Sequence, residues 1–121
     1  MAKRRTNPDY LNGVPELLVL RLLEQRPMYG YELVQEIVRS TGERLEYGEG
    51  CIYPLLHRME SEGTLTAKRQ QVGGRERVVY RVTRKGKGKL AEAAAQWMRV
   101  AEAVTLVLHG GNNEQRQPAI A

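Results

Sequence analysis

The stretch "GEGCIYPLLHRMESEG", residues 48–63, has two sides that differ in chemistry. At 100° per residue its large apolar side chains form one stripe of a helix, the side that packs against other elements: Ile52, Leu55, Leu56 and Met59. The opposite side carries Gly50, Pro54, His57, Arg58 and Ser61, with Tyr53 on the flank. A face that meets only water usually fills with Glu and Lys, whereas this one is compact and weakly charged. The pattern therefore indicates a helix whose outer side fits against another surface.

The chain has the length of one domain, and its composition limits its functions. Its 121 residues are 41% hydrophobic, enough for a modest core. One cysteine excludes an internal disulfide, and two scattered histidines disfavour a metal site, so we expect no cofactor. No apolar run approaches the roughly 20 residues that cross a membrane, and the start lacks the apolar core of a signal peptide. We expect a soluble cytoplasmic protein with no membrane partner.

Positive charge is concentrated in one part of the chain. The net charge is +5, yet the segment from Lys68 to Lys89 has nine basic residues and one acid, Glu76, a balance of +8 that leaves −3 for the rest. A short basic group, "KRR", occupies residues 3–5. Such a field favours a polyanionic partner, although a charge run alone is more often a solvated surface.

Breaker residues divide the first half of the chain. Residues 1–13 are polar and contain two breakers, which predicts a flexible basic N-terminal arm. Helices are expected over about 15–27, over about 29–42 and over the quoted stretch, 48–63. Within the third helix, Pro54 costs least if it lies in the first turn, where amide hydrogens have no helical acceptor.

The apolar period changes after the third helix. The segments "TLTAKRQQV" and "RERVVYRVT" are rich in Val, Thr and Tyr, and Gly73 and Gly74 join them. This pattern predicts a β-hairpin with a glycine turn. Arg75 and Arg77 flank that turn, so the hairpin carries part of the positive charge at its tip.

A long final helix is predicted after the hairpin. Thr83 can cap it, the sequence favours a helix over residues 84–108, and the polar tail, 109–121, is expected to be disordered. Apolar residues repeat along it at spacings of four and three, as in a coiled-coil seam: Leu90, Ala94, Trp97, Ala101, Val104 and Leu108. We predict a dimerisation helix whose interface includes Leu90, Trp97, Val100, Val104 and Leu108.

The element order α, α, α, β, β, α predicts an α+β, mainly α, winged helix-turn-helix over residues 14–83 with a long C-terminal dimerisation helix. In this fold the third helix enters the major groove of DNA and the hairpin reaches the flanking backbone. We predict double-stranded DNA as the partner, and DNA contacts at Tyr53, Pro54, His57, Arg58, Lys68, Arg75, Arg77, Lys3, Arg4 and Arg5. Simple packing is the alternative for Tyr53 and Pro54. No catalytic and no metal-binding residue is predicted.

Three blocks also resemble the PadR family of bacterial transcriptional regulators: "YGYEL" at 29–33, "IYPLLHRMESEG" at 52–63 and "YRVTRKGKGKL" at 80–90. The resemblance runs from about residue 11 to residue 108. It implies a winged-helix homodimer that binds operator DNA, usually as a repressor, and loses affinity for DNA when a small molecule binds or conditions change.

The resemblance also bears on Trp97. With one helix after the hairpin, the chain resembles the compact subfamily, some of whose members bind planar aromatic drugs between paired final helices and carry a tryptophan at the corresponding place. Trp97 is therefore either a dimer-core aromatic or a stacking platform for a planar aromatic small molecule, with Ala94 and Ala101 leaving room beside the ring. The chain departs from the family at Cys51, where Ser or Thr is common, and has an acid, Glu49, close to the predicted DNA surface.

Two other classes of function are alternatives to a DNA-binding regulator. No Ser-His-Asp, Cys-His or paired-carboxylate arrangement and no phosphate-binding glycine loop is legible, which disfavours an enzyme. The alternative is a protein-interaction winged-helix module without DNA binding, which the balance of +8 around the hairpin opposes. We therefore predict a DNA-binding transcriptional regulator.

Overall fold

The computed structural model describes residues 13–110, which form four helices and three strands. Their order is α1 (Val14–Gln25), β1 (Met28–Tyr29), α2 (Gly30–Ser40), α3 (Glu49–Ser61), β2 (Leu65–Val72), β3 (Arg75–Val82) and α4 (Arg84–His109). This order confirms the mainly helical α+β class and the winged helix-turn-helix with a long C-terminal helix. The predicted arm and tail, apart from their inner ends, lie outside the described residues, and so do Lys3, Arg4 and Arg5.

The start of α3 differs from the simplest expectation. The helix begins after Gly48, which makes no side-chain capping bond, and Cys51 lies half-buried in the first turn. Pro54 is the sixth residue of α3 and so lies beyond the first turn, where a proline costs least. Its ring has no N–H, so the carbonyl oxygen of Gly50, four residues earlier, lacks its helical donor.

The hairpin is formed as the sequence predicts. β2 and β3 pair antiparallel, with Leu65 opposite Val82 at the base. Gly73 and Gly74 have φ angles of 60° and 81°, the positive values that a two-residue type I′ turn requires at both central positions. A tight glycine turn therefore closes the wing.

A third strand, which the sequence pattern does not predict, joins the hairpin. β1 pairs Met28 with Tyr80 and Tyr29 with Val79, which gives the sheet order β1, β3, β2. A strand of two residues has no recognisable period, so only the tertiary structure defines it. Tyr31, two residues after Tyr29 and within α2, has 45% of its surface exposed.

One core joins all the elements from α1 to the first turns of α4. Its buried members are Val19, Leu20, Leu22, Leu23, Met28, Leu33, Ile37, Tyr47, Ile52, Leu56, Met59, Leu65, Tyr80 and Leu90. Three residues of the predicted α3 stripe belong to it, and the fourth, Leu55, is half-buried. The helical stripe read from residues 48–63 is therefore confirmed.

The root of α4 is fixed to the core. Thr83 Oγ1 accepts a hydrogen bond from the backbone N–H of Gly86 at 3.0 Å, which confirms the predicted cap. Gly86 lies so close to the carbonyl oxygen of Thr64 that a side chain there would overlap it. Leu90 ends the first of two compact units and is only 7% exposed. Leu90, the first residue of the predicted dimer interface, thus packs against the core of its own chain.

Candidate nucleic-acid interface

The outer side of α3 is exposed along most of its length. Pro54, His57 and Arg58 are exposed, and Tyr53 on the flank is half-buried. His57 and Arg58 are consecutive, so they point about 100° apart around the helix axis and meet different neighbours. The two residues therefore belong to different parts of the surface.

Tyr53 packs against the first residue of α2. A Cβ atom at Gly30 would lie 2.9 Å from Cδ1 of the Tyr53 ring and closer still to Cε1. The glycine of "YGYEL" is thus what allows the start of α2 to approach α3. Burial, with the nearby charge of Glu49, raises the pKa of the Tyr53 phenol, which therefore remains protonated at neutral pH and can donate a hydrogen bond.

Arg77 turns from the hairpin toward the start of α2. Its guanidinium carbon lies 4.3 Å from the centroid of the Tyr29 ring, a cation–π distance. Its Nε atom is buried and has no hydrogen-bond partner in the described part of the chain. The sequence grouped Arg77 with Arg75 at the turn, but the two differ: Arg77 is half-buried and stacked, whereas Arg75 is exposed.

These side chains line a pocket between α3 and β3, hereafter the α3–β3 pocket. It has a volume of about 320 Å³ and is lined by Tyr29, Gly30, Tyr53, His57, Glu76, Arg77, Val78 and Tyr80. Burial, and then the charge of Glu60, raises the pKa of the Tyr80 phenol. The pocket thus contains one guanidinium, one imidazole and phenol groups able to donate hydrogen bonds, a set that suits an anion.

Arg58 lies on the other side of α3 and is held by carboxylates. Its guanidinium nitrogens lie 3.3 Å from Glu16 of α1 and 2.9 Å from Glu62, and Nζ of Lys89 lies 2.8 Å from Glu16. Partial burial would raise the pKa of Glu16, but Lys89 and Arg58 outweigh burial, so that pKa is lowered. This network joins α1, α3 and the root of α4, and it leaves about half of the Arg58 side chain exposed, 49%.

The hairpin presents further basic groups. Lys68 and Arg75 are exposed on β2 and β3. Arg69 lies 3.5 Å from the carboxylate of Glu76, the acid of the basic segment. The charge of Glu76 is therefore partly balanced where it borders the α3–β3 pocket.

The predicted DNA-binding residues of the described chain fall into three groups. Tyr53, His57 and Arg77 line the α3–β3 pocket, and Pro54 and Arg58 lie on the α1 side of α3. Lys68 and Arg75 are exposed on the hairpin. Sequence reasoning did not predict Tyr29 and Tyr80 as pocket residues. The glycine that follows Tyr29 was the available signal, because a glycine at a helix start often marks a close approach.

The sequence and the fold correspond to those of known regulators. The transcriptional regulator PadR-like family matches residues 19–92, a range that contains α2, α3 and the whole hairpin. The chain belongs to this family. Membership confirms the resemblance carried by the three sequence blocks and implies DNA binding.

Relatives of this PadR-like protein share both sequence and fold with it. A PadR-like transcriptional regulator from Bacillus cereus is 33% identical with a TM-score of 0.74, over 85% of this chain and 99% of its own. A PadR family transcriptional regulator from Eggerthella lenta is 33% identical with a TM-score of 0.70, over 83% and 86%. A transcriptional regulator of Mycobacterium tuberculosis is 34% identical over 84 residues, which are 69% of this chain and 76% of its own. The family and these relatives are regulators of transcription and not enzymes.

The last helix of the PadR-like chain exposes a run of apolar side chains. Trp97 is 43% exposed and Val107 79%, and Val100, Val104 and Leu108 are exposed as well. Ala94 and Ala101, the small residues predicted beside the tryptophan, are half-buried. Within residues 13–110, none of the helices is both long and apolar enough to span a membrane.

Proposed function

We propose that this PadR-like regulator is a homodimeric repressor that binds operator DNA and releases it when a planar aromatic small molecule binds. The observation that carries the DNA-binding part is the position of His57 and Tyr53. His57 lies on the outward side of α3 and Tyr53 on its flank, both in the pocket that the helix forms with the hairpin, while Ile52, Leu56 and Met59 of the same helix are fully buried.

On this proposal α3 enters the major groove and the hairpin follows the backbone. A compact outer side can approach base edges and phosphates, and His57 supplies a donor to one or the other. Lys68 and Arg75 are exposed and able to contact phosphates. Contacts of this kind release counterions, so affinity should fall steeply as salt rises.

The exposed apolar side of α4 supports the homodimer. Soluble monomers rarely expose a long apolar patch, and pairing α4 with α4 of a second copy would cover Trp97, Val100, Val104 and Leu108. A two-fold dimer presents two copies of α3, which then fit half-sites about one helical turn of DNA apart.

Trp97 is the proposed ligand platform. In such a dimer two indole rings would face a shared space, and the small side chains of Ala94 and Ala101 leave room for a flat ligand to stack. A ligand regulates only by its preference for one subunit arrangement over the other, so its binding must change the spacing of the two α3 helices.

Fluorescence tests the regulatory part, because Trp97 is the only tryptophan. Titration with a planar cationic dye should quench the emission in a saturable way and should release labelled DNA over the same concentration range. The matched control is Trp97→Ala, which should remain dimeric in sedimentation and bind DNA without responding to the dye. If Trp97→Ala only weakens the dimer, and no planar compound quenches the wild type, Trp97 is a dimer-core residue.

A further inference from the structure

The α3–β3 pocket lies between the two elements proposed to contact DNA. Tyr53 and His57 reach it from α3, and Arg77 reaches it from the wing. β1 pairs with β3 only at Val79 and Tyr80, so within the described chain the part of β3 nearer the turn has no β1 partner on that side. The short β1 therefore leaves space for the pocket between the sheet edge and α3.

The Arg77 side chain is preorganised to bind an anion in the α3–β3 pocket. Stacking on the Tyr29 ring, at 4.3 Å, restrains the guanidinium plane, so less conformational freedom is lost when it binds. Its Nε is buried without a hydrogen-bond partner in the described residues, and a buried donor left unpaired is costly. The Arg77 side chain as a whole is only half-buried and lines the pocket, so an acceptor in the pocket can reach its accessible part.

The neighbouring groups favour an anion with several acceptor oxygens. His57 can donate from an imidazole nitrogen, and the phenols of Tyr53 and Tyr80 are held protonated by their raised pKa values. Glu76 is the carboxylate of the lining, and Arg69 at 3.5 Å offsets it. A phosphodiester group presents two unesterified oxygens, which a guanidinium can bind with two parallel N–H donors.

We propose that the α3–β3 pocket binds one phosphate of the DNA backbone, with Arg77 and His57 as its donors and Tyr29 as a positioning residue that orients Arg77. This inference rests on the proposed DNA binding. One phosphate held at once by α3 and the wing would set the depth at which α3 sits in the major groove, because it fixes both elements to the same point of the backbone. Arg77 therefore acts differently from Arg75, whose exposed side chain at the turn can reach phosphates without a fixed position.

Neutralising single phosphates gives the test. A duplex is first selected from a random library with the wild-type dimer, and a set of duplexes is then made, each with one methylphosphonate linkage. For the wild type, one linkage in each half-site should weaken binding roughly tenfold, the loss expected for one charged hydrogen-bonded contact. In Arg77→Ala that penalty should become much smaller, because only the His57 contact remains, while the penalties at all other linkages stay.

Matched variants separate this role from a structural one. Arg75→Ala should keep the penalty at the same linkage. Tyr29→Phe keeps the aromatic ring and should also keep the penalty at this linkage, whereas Tyr29→Leu should reduce that penalty. If Arg77→Ala fails to fold, Arg77→Gln serves in its place, since glutamine keeps the Cβ and Cγ methylene groups and a polar end without the charge.

Three results would overturn the inference. If the wild type binds the selected duplex but no linkage has a penalty that depends on Arg77, the pocket holds no backbone phosphate, and DNA binding itself stands. If ATP or inorganic phosphate binds the wild type without DNA and depends on Arg77, the pocket serves a free phosphorylated ligand. If no duplex is selected at all, the proposed function fails together with this inference.

Discussion

Gly30 and Tyr53 fit together at the junction of α2 and α3, where a Cβ on the glycine would lie 2.9 Å from Cδ1 of the ring and closer still to Cε1. The ring of Tyr53 could move only away from α2, since Gly30 is buried and belongs to the helix backbone. The same contact brings Tyr53 beside Tyr29 and Arg77 in the α3–β3 pocket. A glycine on one helix thus fixes a side chain on the proposed recognition helix.

Gly30→Ala should displace Tyr53 and should lower both stability and DNA affinity. Overpacking of this kind costs about 1–3 kcal/mol in the free energy of unfolding. The control is Gly50→Ala in α3, where the added methyl group would meet nothing within 4 Å and stability should not fall. Chemical denaturation measures both variants, and an unchanged free energy of unfolding in Gly30→Ala would contradict the close approach.

Two glycines in the first turns of α4 should respond in opposite directions to alanine. Gly86→Ala would place a methyl group against the carbonyl oxygen of Thr64, so we expect a loss of about 1–3 kcal/mol. A methyl group at Gly88 would meet nothing within 4 Å, and Gly88→Ala should raise the free energy of unfolding by about 0.5–1 kcal/mol through helix propensity. Equal effects in thermal unfolding would show that the root of α4 does not pack as described.

Glu16 should make stability depend on pH. Its pKa in the folded chain is lowered, because Lys89 and Arg58 outweigh partial burial, so the ionised form stabilises the fold above the ordinary glutamate pKa of about 4.3. That contribution is lost as pH falls through the lowered value. Glu16→Gln should therefore cost about 1 kcal/mol or less at pH 7 and progressively less below about pH 4.

The control for Glu16 lies on the same helix. Glu24 forms an exposed pair with Arg21 at 2.7 Å, and exposed pairs contribute little. Glu24→Gln should change stability by less than Glu16→Gln at pH 7. A wild-type advantage over Glu16→Gln that stays constant down to pH 2 would refute the role of the ionised carboxylate.

Substitutions on the two sides of α3 should affect different properties, stability on one side and DNA binding on the other. Met59 is fully buried, so Met59→Ala should cost about 2–5 kcal/mol of stability. His57 is exposed, so His57→Ala should keep the melting temperature and lose DNA affinity or sequence preference. Arg58→Ala should lose a little stability as well as DNA affinity, since Arg58 also pairs with Glu16 and Glu62. A His57→Ala protein with wild-type DNA affinity would reject the assignment of the outward side.

Local sequence signals were enough for the helices and the hairpin. A helical period places Ile52, Leu56 and Met59 on one side whatever the rest of the chain does, and burial follows from their chemistry. The Gly73-Gly74 pair needs only its two neighbouring strands to form a turn. These features depend on residues close together in the sequence, so the sequence predicts them.

The contents of the site depend on distant residues and were not predictable in the same way. Arg58 meets Glu16, which lies 42 positions away, and so it is held by ion pairs that no local pattern reveals. Arg77 stacks on Tyr29 because the two-residue strand β1 pairs there with β3. A register that is set by tertiary packing decides which arginine points outward and which enters the pocket.

A hydroxyl-radical footprint of the wild-type protein on the selected duplex reads DNA binding and subunit geometry together. If the α3 helix of each subunit enters the major groove, two equivalent protected regions should appear. Their centres should lie about one helical turn, roughly 10 base pairs, apart. Arg75→Ala should leave their spacing unchanged while weakening protection uniformly, because a phosphate contact carries no sequence information. A single protected region would contradict the dimer, and no protection at low salt would contradict DNA binding and favour a winged helix that binds protein instead.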